Sequence, residues 1–147
     1  MKPTRFLSLF VPALFVSTGM SALNARSAAA QLYNPIDLGT TEINDTLTTK
    51  DIPTGQGGFA RDYIVTLEEG DQITIDAVSD EFDTLVTLMD ANGIIVSEND
   101  DGPDGTTNSL LFARIKEGGR YTVRIRSFAG EGSGPFSLKL ARLRPIQ

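Results

Sequence analysis

The chain has 147 residues, 13 of them Lys or Arg and 19 Asp or Glu, for a net charge of −6, and it contains no Cys, His or Trp. Disulfide scaffolds, thiolate zinc sites, Cys nucleophiles and Ser–His–Asp triads are therefore excluded. The usual general base near neutral pH is missing, and a bound metal must take oxygen ligands, as Ca²⁺ and Mg²⁺ do. This composition favours a binding or structural module over an enzyme.

Residues 1–30 read as a secretory signal peptide. Lys2 and Arg5 form the basic start, and Phe6–Val16 (FLSLFVPALFV) is an apolar run too short to span a bilayer as a helix. Ala28-Ala29-Ala30 supplies the small residues of a cleavage site before Gln31. The leader holds three basic residues and no acid, so residues 31–147 carry 10 basic and 19 acidic residues, net −9. The expectation is a secreted or periplasmic protein with no membrane insertion after cleavage. Its acidity argues against nucleic acid as a partner.

After the leader the chain reads as one all-β domain: short β-rich runs of alternating polarity, bounded by Gly, Asp and Asn turns. Residues 31–58 hold an N-terminal strand, expected over Ile36–Ile43 with Ile43–Thr49 as a further strand candidate, and a Gly/Pro loop over Asp51–Gly58. Residues 59–143 form the main body, and 144–147 a tail. Tyr63, Val65 and Leu67 alternate, Glu68–Asp71 turns, and Ile73, Ile75 and Ala77 alternate again, which predicts a hairpin. Thr84–Met89 is apolar enough to be buried on both faces. Asp90-Ala91-Asn92-Gly93 is a turn, with Asp90 capping it, and Ile94–Val96 returns antiparallel. Ser109–Ile115 is the next strand. In the strand after it, Tyr121, Val123 and Ile125 point inward against outward Arg120, Thr122, Arg124 and Arg126. Ala129–Gly134 is a loop, and Phe136, Leu138 and Leu140 close the core. About eight antiparallel strands at this spacing predict a jelly-roll-like β-sandwich.

Charge is unevenly placed. Residues 62–113 contain thirteen acids and no Lys or Arg, whereas residues 114–147 contain eight bases and only Glu117 and Glu131 as acids. Opposite charges are therefore expected to meet across strands. The segment Glu98–Gly105 (ENDDGPDG) concentrates Glu98, Asp100, Asp101 and Asp104, with Asn99 as a neutral oxygen donor. Such a loop suits Ca²⁺, although Gly102 and Leu111 stand where an EF-hand starting at Asp100 needs its third and twelfth ligands. If Ile94–Val96 pairs with Thr84–Met89, Asp83 and with it Asp80 approach Asp100 and Asp101, while Asp90 lies at the far end of the strand. The candidate metal set is thus Asp83, Asp100, Asp101, Asp104, Asp80 and Glu98.

The order of motifs over residues 59–143 resembles the bacterial pre-peptidase C-terminal domain. The motifs are Asp83 before an apolar strand, Asp90 with Gly93, Asn99-Asp100-Asp101, and Ser109 with Leu111. They continue with Gly119, Tyr121, Val123, Arg124 and Ile125, and end on Gly134, Phe136 and Leu138. The resemblance implies a jelly-roll-like sandwich, related to the collagen-binding modules of secreted collagenases, with a non-catalytic role in secretion, stability or substrate binding. Related collagen-binding modules bind Ca²⁺. No peptidase-like segment precedes the module here, which departs from the usual setting.

The functional expectation is an exported, non-catalytic binding or accessory module carrying Ca²⁺, with an extracytoplasmic protein or polysaccharide as partner. Phe128 and Tyr121 are candidate ligand contacts. The rival reading is a metal-free carbohydrate- or protein-binding module of the envelope, and a more remote one is a glycoside hydrolase working with two carboxylates.

Overall fold

The computed structural model describes residues 34–38, 42–103 and 105–143. The expected leader, Asp104 and the 144–147 tail lie outside them. Two sheets make up the fold. The six-stranded sheet has the order β1-β4-β9-β6-β7, with β3 also on β4, and the four-stranded sheet has the order β2-β10-β5-β8. The strands are β1 Ile36–Asp37, β2 Glu42–Leu47, β3 Ile52–Pro53, β4 Phe59–Leu67 and β5 Gln72–Val78. They continue as β6 Thr84–Met89, β7 Ile95–Asn99, β8 Ser109–Arg114, β9 Gly119–Ser127 and β10 Gly134–Leu143. Eight are longer than two residues, and the only helical element described is a 3-10 turn over Phe128–Gly130. The predicted all-β sandwich is therefore present.

The core follows the alternation. Tyr63, Val65 and Leu67 on β4, Val86 and Leu88 on β6, and Tyr121, Val123 and Ile125 on β9 face Ile73, Ile75, Leu111, Phe136, Leu138 and Leu140 from the other sheet. Phe136 meets Tyr63 and Phe82 edge-to-face, with ring centroids 6.4 and 6.2 Å away, the arrangement aromatic quadrupoles favour. Thr84–Leu88 is buried throughout. On the six-stranded sheet's outer face, Asp62 on β4 lies opposite Arg124 on β9 and accepts two hydrogen bonds from it, at 2.7 and 2.8 Å. The acidic and basic segments of the sequence do meet across a sheet.

Three expectations need correction. β4 and β5 are not a hairpin: β4 pairs with β9 and β5 with β10 and β8. The Glu68–Asp71 turn carries the chain from one sheet to the other, and Ile115 fixes it by backbone bonds to Gly70 and Asp71. Both strands alternate because both face one core. Ile36–Ile43 is not one strand either. Ile36–Asp37 pairs with β4, the one parallel pairing among the described strands, whereas Glu42–Leu47 pairs with β10 in the opposite sheet. Finally, the Asp51–Gly58 loop includes β3, paired to β4 through Ile52 and Pro53.

Candidate binding surface

The β6–β7 register decides which acids meet. Val86 pairs with Asn99 and Thr87 with Glu98, so β7 runs three residues past the expected Val96 end before leaving the sheet beside Asp83. The turn at the other end is closed by Asp90, whose carboxylate accepts from the Asn92 and Ile94 amides at 2.8 and 2.9 Å. Asp90 is a turn residue, as its position implies.

At the exit of β7, Asn99 ties the acidic loop to β8. Its Nδ2 donates to the carbonyls of Asp101 and Leu110 at 2.8 and 2.9 Å, and Leu110 N donates to Asp101 O at 3.0 Å. The Asn99 side-chain oxygen accepts from Asp101 N. Asn99 is therefore an anchor for the acidic loop. Asp83 is placed from the other side. Ser79 Oγ donates to Pro135 O and accepts from the Glu81 and Phe82 amides, which fixes the turn leading to Asp83. Next to it, Thr84 and Ser109, both fully buried, join β6 to β8 through their hydroxyls at 2.7 Å.

Asp83 thus comes within electrostatic reach of Asp100 and Asp101. Partial burial, then the charges of Asp100 and Asp101, raise its carboxyl above the ordinary range, as like charges and desolvation both must. Among the described residues, no group of three or more carboxylates converges tightly enough to hold a metal ion. A cation bridging Asp83, Asp100 and Asp101 would require the loop to close further. Glu98 is elsewhere: on the outer face of β7 it accepts from Thr87 Oγ1 at 2.6 Å and lies 3.8 Å from Arg126. Asp80 lines a separate cleft of about 450 Å³ with Asp45, Glu81 and Phe136.

Phe128 joins the same end of the sandwich. Its backbone N–H donates to Asp83 O at 2.8 Å, while its ring is 45% exposed. The loop beneath it is locked. Ala129 holds φ 54°, an uncommon conformation for a residue with a Cβ. Gly130 approaches the 57–58 backbone so closely that a Cβ on Gly58 would lie 2.7 Å from Gly130 O. Ser127 Oγ bonds the carbonyls of Phe128 and Glu131. Phe128 and the three carboxylates of Asp83, Asp100 and Asp101 therefore lie on one rim of the sandwich. Tyr121 is not part of it: it is 6% exposed, with its hydroxyl donating to Glu117 O at 2.6 Å, which commits it to the core.

Residue-by-residue reading passed over a groove of about 330 Å³ on the outer face of the six-stranded sheet. Met89, Ile95, Glu98, Arg124, Arg126 and Gln56 line it. The signal was available in Ile94-Ile95-Val96, three successive apolar residues where alternation allows only one buried face.

No protein-family model matches the chain, and no curated protein matches it significantly. Solved structures do. Aeromonas hydrophila PliG, a periplasmic inhibitor of g-type lysozyme, superposes with a TM-score of 0.56 at 12% identity, over 74% of this chain and 96% of that one. The pre-peptidase C-terminal domain of a Bacillus anthracis collagenase superposes with a TM-score of 0.51 at 15% identity, over 74% and 93%. The resemblance read from the motifs therefore holds at the level of the fold.

Proposed function

We propose that the chain is an exported, non-catalytic module that binds another protein outside the cytoplasm, using the rim formed by Phe128, Asp83, Asp100 and Asp101. The observation that carries this reading is the likeness to the lysozyme inhibitor over nearly the whole of that protein, since an inhibitor acts by contact with another protein. The chemistry of the rim agrees with it. An exposed aromatic beside carboxylates suits the Lys or Arg side chains of a basic partner through cation–π attraction and charge. A polysaccharide platform finds less support, because Tyr121 is buried and Phe128 stands alone on the rim. Catalysis through an imidazole or a thiol is excluded in a chain without His or Cys. Calcium enters the proposal as an ion bridging Asp83 to the Asp100-Asp101 loop.

The test is affinity capture from the source organism's envelope extract on immobilised wild-type protein, in parallel with a Phe128→Ala, Asp101→Lys double variant. A protein retained by the first column and lost from the second is the expected result. Equal retention on both, or retention of polysaccharide alone, overturns the reading. Turnover of casein or of cell-wall polysaccharide by the purified protein overturns the non-catalytic part.

A further inference from the structure

We infer that the free edge of β7 is a strand-addition site for a short, extended, basic–apolar segment of a partner protein. This deepens the protein-binding reading and rests on it. β7 ends its sheet, its strand ladder runs to β6 alone, and β8 of the other sheet meets it at its far end, where Asn99 bonds Leu110 O. Ile95 and Val96 on it are 58% and 44% exposed, and Ile94 in the turn just before it is 63% exposed. Isolated exposed apolar residues are ordinary, but two adjacent ones on a sheet edge, continued by a third in the turn, are not, because unpaired edges are usually blunted by charge, Pro or brevity. The other edge of this sheet is blunted in that way, since β1 and β3 are two residues each and β3 includes Pro53. On the other sheet, β2 exposes Glu42, Asn44 and Thr46, and β8 is approached by the acidic loop through Leu110.

The register shift between Leu88 and Met89 explains why neighbouring residues on β7 both face solvent: Met89 pairs with Ile95 and Leu88 with Ser97, which leaves Val96 as the extra residue of a bulge. The bulge also shortens the flat part of the edge, which fits one short strand better than stacking of many copies. Charge selects the occupant. Asp90 lies at one end of β7 and Asp100 and Asp101 lie at the other, while Glu98 and the groove's Arg126 and Arg124 are already matched, Glu98 with Arg126 and Arg124 with Asp62. An antiparallel second copy would set Asp100 and Asp101 against its own Asp90, within a chain that carries net −9 beyond residue 30. A basic strand with apolar residues at its centre meets the opposite situation. Backbone bonds along the edge would supply affinity, and alternate side chains would read the Met89–Ile95 groove.

The probe is a synthetic heptapeptide, acetyl-Lys-Val-Thr-Val-Arg-Val-Lys-amide, titrated into ¹⁵N-labelled protein up to about 1 mM, the weak end of specific association. Three controls run beside it: the same peptide N-methylated at alternate residues, a version with Glu for each basic residue, and the Ile95→Lys protein. The expected result is amide shifts centred on Ile95–Glu98, with at least a tenfold loss of affinity in each control and no fall in the Tm of Ile95→Lys. The idea is overturned by shifts centred on the Phe128 rim, by equal binding of the N-methylated peptide, or by a dimer that Ile95→Lys dissociates, which would make a second copy the occupant. Ile95→Lys is also run on the affinity column. If the protein captured through Phe128 is still retained at wild-type level, the protein-binding reading stands and the β7 site falls.

Discussion

The two ends of the β6 strand carry the same residue type and treat it differently. At the Asp90 end the carboxylate is occupied by two turn amides. Asp71, in the turn that joins the sheets, likewise accepts from Glu68 N and faces Arg142 at 3.2 Å. At the Asp83 end, no hydrogen bond or ion pair among the described residues engages the carboxylates of Asp83, Asp100 or Asp101, and the Asp83 carboxyl is raised by partial burial and then by the charges of Asp100 and Asp101. The difference separates acids that build the fold from acids held available at a surface. An Asp in a turn is structural when a backbone amide or a guanidinium faces it, and a binding candidate when only other acids do.

The sharpest way to break this distinction is to remove an acid that it classes as structural. The Asp62 side chain is wholly buried and holds the Arg124 guanidinium, which is 30% exposed, in a two-point pair. Asp62→Ala removes this two-point partner from Arg124, and because Arg124 keeps some access to water the expected loss is about 3 kcal/mol, at the lower end for a broken buried pair. Urea unfolding measures it. A loss within about 0.5 kcal/mol of zero would show that the pair has no structural weight. Calcium comes next. If it binds at the Asp83 end, a hundredfold excess over Kd raises stability by about 2.7 kcal/mol, read as a melting temperature several degrees higher in CaCl₂ than in EDTA. Asp101→Ala should abolish most of that rise. Identical melts in both buffers would leave the acidic loop a solvated turn and remove calcium from the proposal.

Asp90→Ala is the matched control. Losing the carboxylate that accepts from two amide N–H groups should cost about 1 kcal/mol and leave any calcium response intact, checked by the same melts. If it removes that response as fully as Asp101→Ala does, the two ends are not independent and the contrast fails.

Much of this was legible in the sequence because alternation reports which side chains face inward. It also brought Asp83 to Asp100 and Asp101, since a return strand after an Asn-Gly turn has few registers to choose from. Alternation does not report which sheet a strand joins, and so β4 and β5 passed for a hairpin. Glu98 illustrates a second limit. No base lies within residues 62–113, yet the sheet brings Arg126 of β9 within 3.8 Å of it. Separation along the chain says little about neighbours once β9 sits between β4 and β6. Phe128, the aromatic without a place in the alternating pattern, is also the one exposed at the rim.

The smallest expected effect tests the comparison most directly. Asp83→Asn keeps the backbone carbonyl that receives Phe128 N–H and removes only the charge. Because the folded carboxyl is raised above its unfolded value, the charged form is disfavoured in the fold. That penalty is complete above the folded value and disappears as pH falls below the unfolded one, near 3.8. In EDTA, Asp83→Asn should therefore melt higher than wild type at pH 7, by an amount on the order of 1 °C, since Asp83 is only partly buried and water still screens its neighbours. The gap should narrow as pH drops through the carboxylate range and close by about pH 3. It should also shrink in 1 M salt, where the screening length falls to about 3 Å. A variant less stable than wild type at pH 7 would mean that the Asp83 carboxylate has a favourable partner in the fold, and Asp83 would then belong with Asp90 among the structural acids.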